Sequence, residues 1–366
     1  MKRTLIKCIG IVLLFTLFLS ATGSVKASGQ GEEVLALYSQ YREQFEQIIC
    51  VDDIEASGYE IDEKQMFSVL LESFGDTEVL FLSARDNTYH RLALFLADGE
   101  GNILYKTHEL ETNYVYRGTM EQPNEKLASV SFQDVNYDGL TDIILISQCV
   151  NESGAYAGKA YKVGDVLFQR QGSFYRDYRI SDKINRFGMN MSASCIISFV
   201  RDGNSTEFLY TATTLEELLD NGFQIIEEQA YTRNFEKMGR LRTVPGVFHI
   251  SEYDIFMIYL VDNQGDIVWS FQPMKDYDNL YALKGVTGKD VDGDGMKDLV
   301  VLARYSRTDR EGNPEVVTDC AIYYQRTGMF EADVNFADFY TCTETDTLEA
   351  LIVKIREYWG WKAEDK

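Results

Sequence analysis

A nine-residue acidic motif occurs twice in this sequence and limits what the chain can fold into. Both copies read D-x-[DN]-x-D-G-x-x-D, and they lie at residues 134–142 and 290–298. Oxygen-bearing side chains at alternate positions, with a glycine at the sixth for a sharp turn, form the kind of loop that Ca²⁺ prefers, and the seventh residue contributes its backbone carbonyl. Carboxylates this close repel one another unless a cation or water offsets the repulsion. The motif therefore predicts two turns that bind a hard divalent cation.

The predicted ligands occupy equivalent positions in the two loops. In the first loop they are Asp134, Asn136, Asp138, the backbone carbonyl of Leu140 and Asp142. In the second loop they are Asp290, Asp292, Asp294, the backbone carbonyl of Met296 and Asp298. The second loop thus offers one more carboxylate than the first. Because more ligand charge generally gives tighter calcium binding, the sequence predicts that the second loop fills first.

The residues that follow each loop argue against an EF-hand. An EF-hand requires a bidentate glutamate at position 12 and a helix after it. Here position 12 is Leu145 in the first copy and Val301 in the second. Both lie in short apolar runs, residues 143–147 and 299–303, which are typical of buried strands. Each loop is therefore predicted to lead into a β-strand.

An acidic loop that leads into a strand resembles the FG-GAP/VCBS repeat, the calcium loop of integrin-type β-propellers. Residues 289–301 match that pattern closely, and the first copy departs from it at Asn136 and at Tyr137, which replaces a glycine. The resemblance covers the two loops and the hairpins that follow them, and no other part of the chain. It implies Ca²⁺ at both loops and a propeller-like fold.

The similarity between the two halves extends beyond the loops. Leu260 aligns with Leu96, and Gly265 with Gly101, at an offset of 164 residues, and the offset is 156 from the acidic loops onward. A constant offset over a long stretch indicates an internal duplication. We therefore predict a first half at residues 28–210 and a second half at residues 211–366, each with a helix, hairpins and one calcium loop.

Periodicity predicts a mainly β fold with accessory helices. Apolar residues have helical spacing at residues 33–47 and 214–228 and again near the C-terminus. Short strands joined by polar turns dominate the rest, with hairpins predicted at residues 94–105, 166–174, 195–210 and 258–269. The pattern favours an irregular, propeller-like array of short antiparallel sheets. The alternative is two tandem α+β halves.

The N-terminus has the pattern of a secretory signal peptide. Lys2 and Arg3 precede an apolar run at residues 9–19, and Val25 to Ala27 resemble a small-residue cleavage site, so residues 1–27 are predicted to be removed on export. An uncleaved membrane anchor is the alternative, and no later segment is long and apolar enough to span a bilayer. We expect a secreted or cell-envelope protein.

The charge balance also limits the choice of partners. Residues 1–27 contain four of the 35 basic residues and none of the 58 acidic ones, so the rest of the chain has 31 basic residues and a formal net charge of −27. Such acidity argues against nucleic acid and against anionic membrane surfaces as partners. The expected partner is an unknown protein or carbohydrate ligand.

The sequence contains no recognisable catalytic motif. Its three histidines form no zinc-binding array, and it has no nucleophile elbow, phosphate-binding loop or dinucleotide fingerprint. Five cysteines follow residue 27, an odd number that does not indicate a disulfide framework, although Cys320 and Cys342 could pair. We interpret the chain as a calcium-stabilised module for ligand binding or adhesion. The alternatives are an extracellular hydrolase on the same scaffold and a structural envelope protein.

Overall fold

The computed structural model describes residues 24–113, 119–151, 157–275, 277–308 and 313–361. The chain forms two compact units, Met1–Gly203 and Asn204–Lys366. Most of the predicted signal peptide lies outside the described residues, and only its last four positions fall within the first described helix. In the described part of the chain, no helix combines the length and the apolar character needed to cross a membrane.

The first unit begins with a long helix, which covers all but the last residue of the helix predicted at residues 33–47, and continues with a series of short strands. Its helices are α1 (Ser24–Glu46), α2 (Val51–Ala56), α3 (Tyr178–Arg186) and α4 (Ala193–Asp202). Its strands are β1 (Tyr59–Ile61), β2 (Phe67–Val69), β3 (Val79–Asp86), β4 (Leu92–Ala97), β5 (Ile103–Thr107), β6 (Asn124–Gln133), β7 (Asp142–Val150), β8 (Ala160–Arg170) and β9 (Ser173–Tyr175).

The second unit has a similar series of strands. Its helices are α5 (Phe208–Thr211), α6 (Leu215–Asp220), α7 (Phe336–Phe339) and α8 (Leu348–Tyr358). Its strands are β10 (Gln224–Ile225), β11 (Tyr231–Phe235), β12 (Gly239–Ile250), β13 (Tyr253–Val261), β14 (Ile267–Phe271), β15 (Asn279–Lys289), β16 (Asp298–Thr308), β17 (Pro314–Arg326) and β18 (Met329–Ala332).

Each unit contains one five-stranded and one four-stranded antiparallel sheet with the same strand order. In the first unit the orders are β1-β3-β4-β5, with β2 also paired to β3, and β6-β7-β8-β9. In the second unit they are β10-β12-β13-β14, with β11 also paired to β12, and β15-β16-β17-β18. Within the described residues, none of the four sheets closes into a barrel. The prediction of a mainly β fold with accessory helices is confirmed, whereas the propeller-like arrangement is not.

The duplication applies to individual elements. Three pairs of elements have bounds that differ by 164 residues: helices α2 and α6, strands β5 and β14, and the 3₁₀ turns Glu63–Gln65 and Glu227–Gln229. The isolated bridge between Cys50 and Asn102 has its counterpart at the same offset, between Thr214 and Asp266. In the four-stranded sheets the offset is 156, and β7 and β16 both begin at the last aspartate of their loop.

Strand β4 shows how the first unit buries both faces of its five-stranded sheet. Successive side chains of a strand point to opposite faces. Leu94 and Leu96 therefore lie on the face that packs against Leu145 of the four-stranded sheet. Phe95 lies on the other face, where its ring centroid is 5.6 Å from that of Phe45 in α1. Burying each of these side chains contributes about 2 kcal/mol to the free energy of unfolding.

Helices cover the outer face of the four-stranded sheet in both units. A Cβ added to Gly164 of β8 would lie 2.7 Å from Ile184 of α3 and 3.0 Å from Ile196 of α4. In the second unit, a Cβ added to Gly285 of β15 would lie 3.0 Å from Leu348 of α8. Glycine at these positions lets helices approach the sheet closely. Each unit thus combines helix and sheet in layers.

The predicted hairpin at residues 195–210 is wrong, because this segment is largely helical. Helix α4 begins after Ser192, whose hydroxyl accepts a hydrogen bond from the amide of Cys195 at 3.2 Å. It ends at Gly203, which has a φ of 74° and so supplies the left-handed residue that commonly ends a helix. A short β-branched run cannot by itself distinguish a buried helix from a strand, and here the two capping residues settle the structure.

The segment predicted to be helical at residues 214–228 is helical only over its first turns. Helix α6 ends at Asp220 and is followed by β10 and a 3₁₀ turn. Its counterpart in the first unit is α2, which lies at the offset of 164 and also precedes a five-stranded sheet. The predicted hairpins at residues 94–105, 166–174 and 258–269 are confirmed as β4-β5, β8-β9 and β13-β14.

Candidate metal centres

Each acidic loop is the turn between the first two strands of a four-stranded sheet. The first loop joins β6 to β7, and Gln133 is paired with Asp142 across its base. The second joins β15 to β16, where Lys289 is paired with Asp298. As the apolar runs predict, the strand after each loop is buried over its first residues. The two loops therefore lie at the same end of equivalent sheets.

The side chains of the first loop fold back onto its own backbone. Asp134 Oδ2 accepts a hydrogen bond from the amide of Gly139 at 2.9 Å, and Asp138 Oδ1 accepts one from Leu140 at 2.9 Å. Asn136 Oδ1 accepts from the amide of Asp138, and its Nδ2 donates to Asp138 Oδ2, both at 3.0 Å. Asp134 Oδ1 is buried and has no hydrogen-bond partner among the described residues. A buried carboxylate oxygen without a donor suits a cation ligand.

The second loop has the same folding with more negative charge. Asp290 Oδ2 accepts from the amide of Gly295 at 3.0 Å, Asp292 Oδ1 from Asp294 at 3.2 Å, and Asp294 Oδ1 from Met296 at 2.8 Å. One carboxylate oxygen from each of the three aspartates lies within 4.8 Å of the other two. The structure thus brings together three of the predicted ligands of this loop.

Two positions in each loop have positive φ. The sixth residues, Gly139 and Gly295, have φ of 84° and 81°. The fourth residues, Tyr137 and Gly293, have φ of 61° and 88°. Side chains with a Cβ seldom adopt this region, so glycine is the natural residue at both positions. Tyr137 therefore adopts a strained conformation that the first loop imposes on it.

The ninth aspartate of each loop is fully buried. Asp142 and Asp298 are both 0% exposed. Each accepts two hydrogen bonds from backbone amides, one from the second residue of its loop and one from a glutamine in the sheet. The donors are Val135 and Gln169 for Asp142, and Val291 and Gln325 for Asp298. Burial raises the pKa of Asp142, and it raises the pKa of Asp298 to about 7, with the other loop carboxylates adding to both effects. A nearby cation would favour the charged forms.

A glutamate from the five-stranded sheet anchors the first loop. Glu72, in the 3₁₀ turn after β2, accepts hydrogen bonds from the amide and the hydroxyl of Thr141, the eighth loop residue, at 2.8 and 2.9 Å. Gln169 joins them by donating to the Thr141 carbonyl at 2.6 Å, while its own Oε1 accepts from the amide of Ser73. Burial alone would raise the pKa of Glu72, but these hydrogen bonds outweigh it and lower the pKa.

The second unit repeats this anchor. Glu236 accepts from the amide of Lys297 at 2.8 Å and pairs with its ammonium group. Gln325 donates to the Lys297 carbonyl at 2.9 Å and accepts from the amide of Lys237 at 2.9 Å. Although burial opposes it, the contacts with Lys297 lower the pKa of Glu236 to about 2. We refer to the Glu72–Thr141–Gln169 and Glu236–Lys297–Gln325 groups as the two latches.

Neither Glu72 nor Glu236 is among the residues that the sequence predicts to act at the loops. The available signal was the offset: Glu72 and Glu236 differ by 164, as do other elements of the five-stranded sheets. Leu140 and Met296 lie at the predicted seventh position, where each donates its amide to the fifth aspartate of its loop.

Away from the loops, the buried carboxylates of Glu111 and Asp165 meet at an arginine of the first unit. Arg176 lies 2.7 Å from Glu111 and 3.2 Å from Asp165, and all three side chains are at most 10% exposed. Ser181 donates to Asp165 at 2.6 Å. Burial raises the pKa of Asp165, and Arg176 counters this effect. Because the arginine and serine take up its oxygens, Asp165 has the contacts of a structural residue.

Two shallow clefts occupy related positions in the units. One of about 500 Å³ lies between the 3₁₀ turn at Lys64 and strand β6 at Glu125 and Lys126. The other, of about 460 Å³, lies between Gln229 and strand β15 at Lys284. Both have polar walls with charges of both signs, which do not favour a particular class of ligand.

Comparison with known proteins identifies no family. No protein-family model matches this chain, and no curated protein matches it. Among solved structures, the exotype rhamnogalacturonan lyase YesX is similar at 10% sequence identity and a TM-score of 0.18. The match covers 74% of this chain and 49% of that one, so the chain spans about half the length of the lyase. A TM-score of this size does not establish a shared fold.

Proposed function

We propose that this chain is a calcium-binding repeat protein in which each acidic loop holds one Ca²⁺ ion that stabilises its unit. The observation that carries the proposal is the convergence of oxygens from Asp290, Asp292 and Asp294 within 4.8 Å, in a turn that the first unit repeats. A donor set of oxygens in a short, glycine-closed loop suits Ca²⁺, whereas Zn²⁺ prefers nitrogen and sulfur. The bound ion supplies the positive charge that offsets repulsion among the carboxylates.

The buried ninth aspartates support the same proposal. Burial of a carboxylate is unfavourable unless it is paired or bonded. Asp142 and Asp298 receive two amide hydrogen bonds each, yet burial, with a smaller contribution from the other loop carboxylates, raises the pKa of both. A cation in the loop would relieve this repulsion. Ion binding and folding of the unit would then be thermodynamically linked.

In this proposal the protein works outside the cytoplasm as a ligand-binding or adhesion-type module. The signal-peptide pattern at residues 1–27 and the net charge of −27 beyond it support export to a compartment rich in divalent cations. The resemblance of the loops to FG-GAP/VCBS repeats supports a propeller-like array of the four sheets. The ligand would be a protein or a carbohydrate.

Two other functions have less support. An extracellular hydrolase would need accessible carboxylates that converge in a pocket, and the buried pair Glu111 and Asp165 does not provide them because both contact Arg176. A structural envelope protein, in which the ions serve only to hold the fold, would use the same loops. A ligand screen against the calcium-loaded protein separates this last function from a binding module.

The test is thermal unfolding of the mature chain with and without divalent cations. A ligand that binds only the folded state stabilises it by about 2.7 kcal/mol at a hundred times its Kd, so Ca²⁺ should raise Tm and EDTA should lower it. Mg²⁺ should be a poor substitute because it requires a smaller, octahedral shell. The double variant Asp138→Ala with Asp294→Ala serves as the control and should no longer respond. An identical Tm in Ca²⁺ and in EDTA would show that the proposal is wrong.

A further inference from the structure

We propose that Arg326 acts as an internal counter-ion of the second loop and weakens its binding of Ca²⁺, so that the first loop fills first. This inference rests on the proposed function, because it concerns the relative affinities of the same two loops. It reverses the order that the carboxylate count predicts.

The guanidinium of Arg326 contacts two of the predicted ligands. Its Nη1 lies 2.9 Å from Asp292 Oδ2 and 3.2 Å from Asp294 Oδ2. The other oxygen of each aspartate already accepts an amide hydrogen bond within the loop. Arg326 therefore binds the oxygens that the loop backbone leaves available. Ca²⁺ can use these oxygens fully only when the guanidinium moves away.

Two neighbours hold Arg326 in this position. Its Nε donates to Glu331 Oε2 at 3.2 Å, and its guanidinium carbon lies 5.2 Å from the ring centroid of Tyr324. Tyr324 and Glu331 face each other in the pairing of β17 with β18. A carboxylate and an aromatic ring on adjacent strands thus orient the arginine, so the sheet itself holds the guanidinium beside the loop.

The first unit has the arginine but lacks both of these neighbours. At the offset of 156, Arg170 corresponds to Arg326, while Phe168 and Tyr175 replace Tyr324 and Glu331. Tyr175 has no carboxylate and therefore cannot form the salt bridge that Glu331 makes with Arg326. Arg170 is exposed, and in the described part of the chain it forms no ion pair with Asp138. Among the residues that the structure describes, no arginine or lysine forms an ion pair with Asp134 or Asp138 of the first loop.

The charge balance of the two loops then becomes equal. The second loop has four carboxylates and one contacting guanidinium, and the first has three carboxylates and an asparagine. Net charge no longer favours the second loop. Binding of Ca²⁺ there must also break two charge-assisted hydrogen bonds, which are among the stronger ones in proteins. The first loop needs no such step, and for this reason it should bind more tightly.

The experiment measures the Ca²⁺ affinity of each loop separately, by calorimetric titration of the mature chain, residues 28–366. Asp294→Ala leaves the first loop intact, and Asp138→Ala leaves the second. The first loop should have the lower Kd. Adding Arg326→Gln to the Asp138→Ala chain should tighten the second loop roughly tenfold, the equivalent of losing one strong charged contact. The matched control, Arg170→Gln in the Asp294→Ala chain, should leave the first loop unchanged.

A second variant guards against misfolding. Glu331→Gln keeps Arg326 but removes the carboxylate that orients it, so it should tighten the second loop by a smaller factor. If Arg326→Gln prevents folding, Glu331→Gln decides the question. The inference is overturned if the second loop is the tighter one or if neither variant tightens it. Absence of Ca²⁺ binding at both loops of the unaltered chain would instead refute the proposed function.

Discussion

Glu72 accepts two hydrogen bonds from Thr141, one from its amide at 2.8 Å and one from its hydroxyl at 2.9 Å. The two residues belong to different sheets of the first unit, since Glu72 follows β2 and Thr141 is the eighth residue of the acidic loop. Thr141 immediately precedes the buried Asp142. The conformation of the loop is therefore tied to the packing of the two sheets. Glu236 and Lys297 repeat this relationship in the second unit.

Removing a latch glutamate should affect both stability and ion binding in its own unit. Glu72→Ala deletes a charged acceptor for the amide and the hydroxyl of Thr141, and we expect a loss of about 1–2 kcal/mol in the free energy of unfolding. Calcium affinity of the first loop should weaken, while that of the second loop stays unchanged. Urea unfolding and calcium titration measure the two effects. Glu78→Ala, at an exposed position of the same unit, is the control; an equal effect of both substitutions would contradict the latch.

The sequence predicted the parts of this fold that depend on local pattern. Alternation of apolar residues with a polar turn places the hairpin β4-β5, and the acidic motif places the turn before β7. The hairpin prediction at residues 195–210 is wrong because the β-branched pair Ile196 and Ile197 suits a strand as well as a helix. The deciding groups, Ser192 and Gly203, lie outside that pair.

Contacts that depend on tertiary packing could not be predicted from the sequence. Glu72 reaches Thr141 across 69 residues of chain, and Arg326 reaches Asp292 across 34. Neither contact follows from spacing, because each requires the pairing and packing of strands to be known. The duplication offered partial help, since residues that recur at offsets of 164 and 156 are candidates for equivalent roles.

Substitutions at the positive-φ positions should separate backbone strain from steric overlap. A Cβ on Gly293 would lie 2.9 Å from Trp361 Nε1, whereas a Cβ on Gly295 would meet nothing within 4 Å. Both replacements by alanine incur the cost of a left-handed conformation, about 1 kcal/mol. Gly293→Ala should lower the free energy of unfolding by more than Gly295→Ala, as measured by urea unfolding in Ca²⁺. Equal losses would mean that Trp361 moves away without cost.

The opposite change in the first loop should stabilise the protein. Tyr137 has a φ of 61° and is 72% exposed, so it has strain and little packing to lose. We expect Tyr137→Gly to raise the free energy of unfolding by a few tenths of a kcal/mol up to about 1 kcal/mol, the relief of strain being partly offset by the flexibility of glycine in the unfolded chain. Differential scanning calorimetry can detect this change, and a lower Tm would contradict it.

Cys320 and Cys342 should form a disulfide under mild oxidation. Both thiols are free in the structure and lie in one apolar cluster. A hydrogen bond with Cys342, together with burial, raises the pKa of the Cys320 thiol, so formation of the reactive thiolate requires alkaline pH. Treatment with oxidised glutathione at alkaline pH should remove a proton and an electron from each thiol and reduce the glutathione disulfide. Mass spectrometry of tryptic peptides should find the two linked, and Cys342→Ser should prevent this. Full alkylation of both thiols after treatment would contradict the prediction.

His108 should make the first unit less stable as the pH falls. Its ring is enclosed by aromatic residues, with its centroid 4.7 Å from that of Phe45 and 5.1 Å from that of Tyr41. Burial, reinforced by the positive charges of Arg91 and Arg42, lowers the pKa of His108 to about 4. In the unfolded chain this pKa is near 6.5.

The sign of the pH effect follows from these two pKa values. Above about pH 6.5 the imidazole is neutral in both the folded and the unfolded state, so His108 does not reduce the free energy of unfolding. Between about pH 6.5 and 4 only the unfolded chain binds a proton, so the free energy of unfolding falls, by about 2 kcal/mol at about pH 5. His108→Phe retains an aromatic ring and removes this proton uptake. Urea unfolding across this range should therefore show a shallower decline for the variant, and parallel profiles would show that His108 does not contribute.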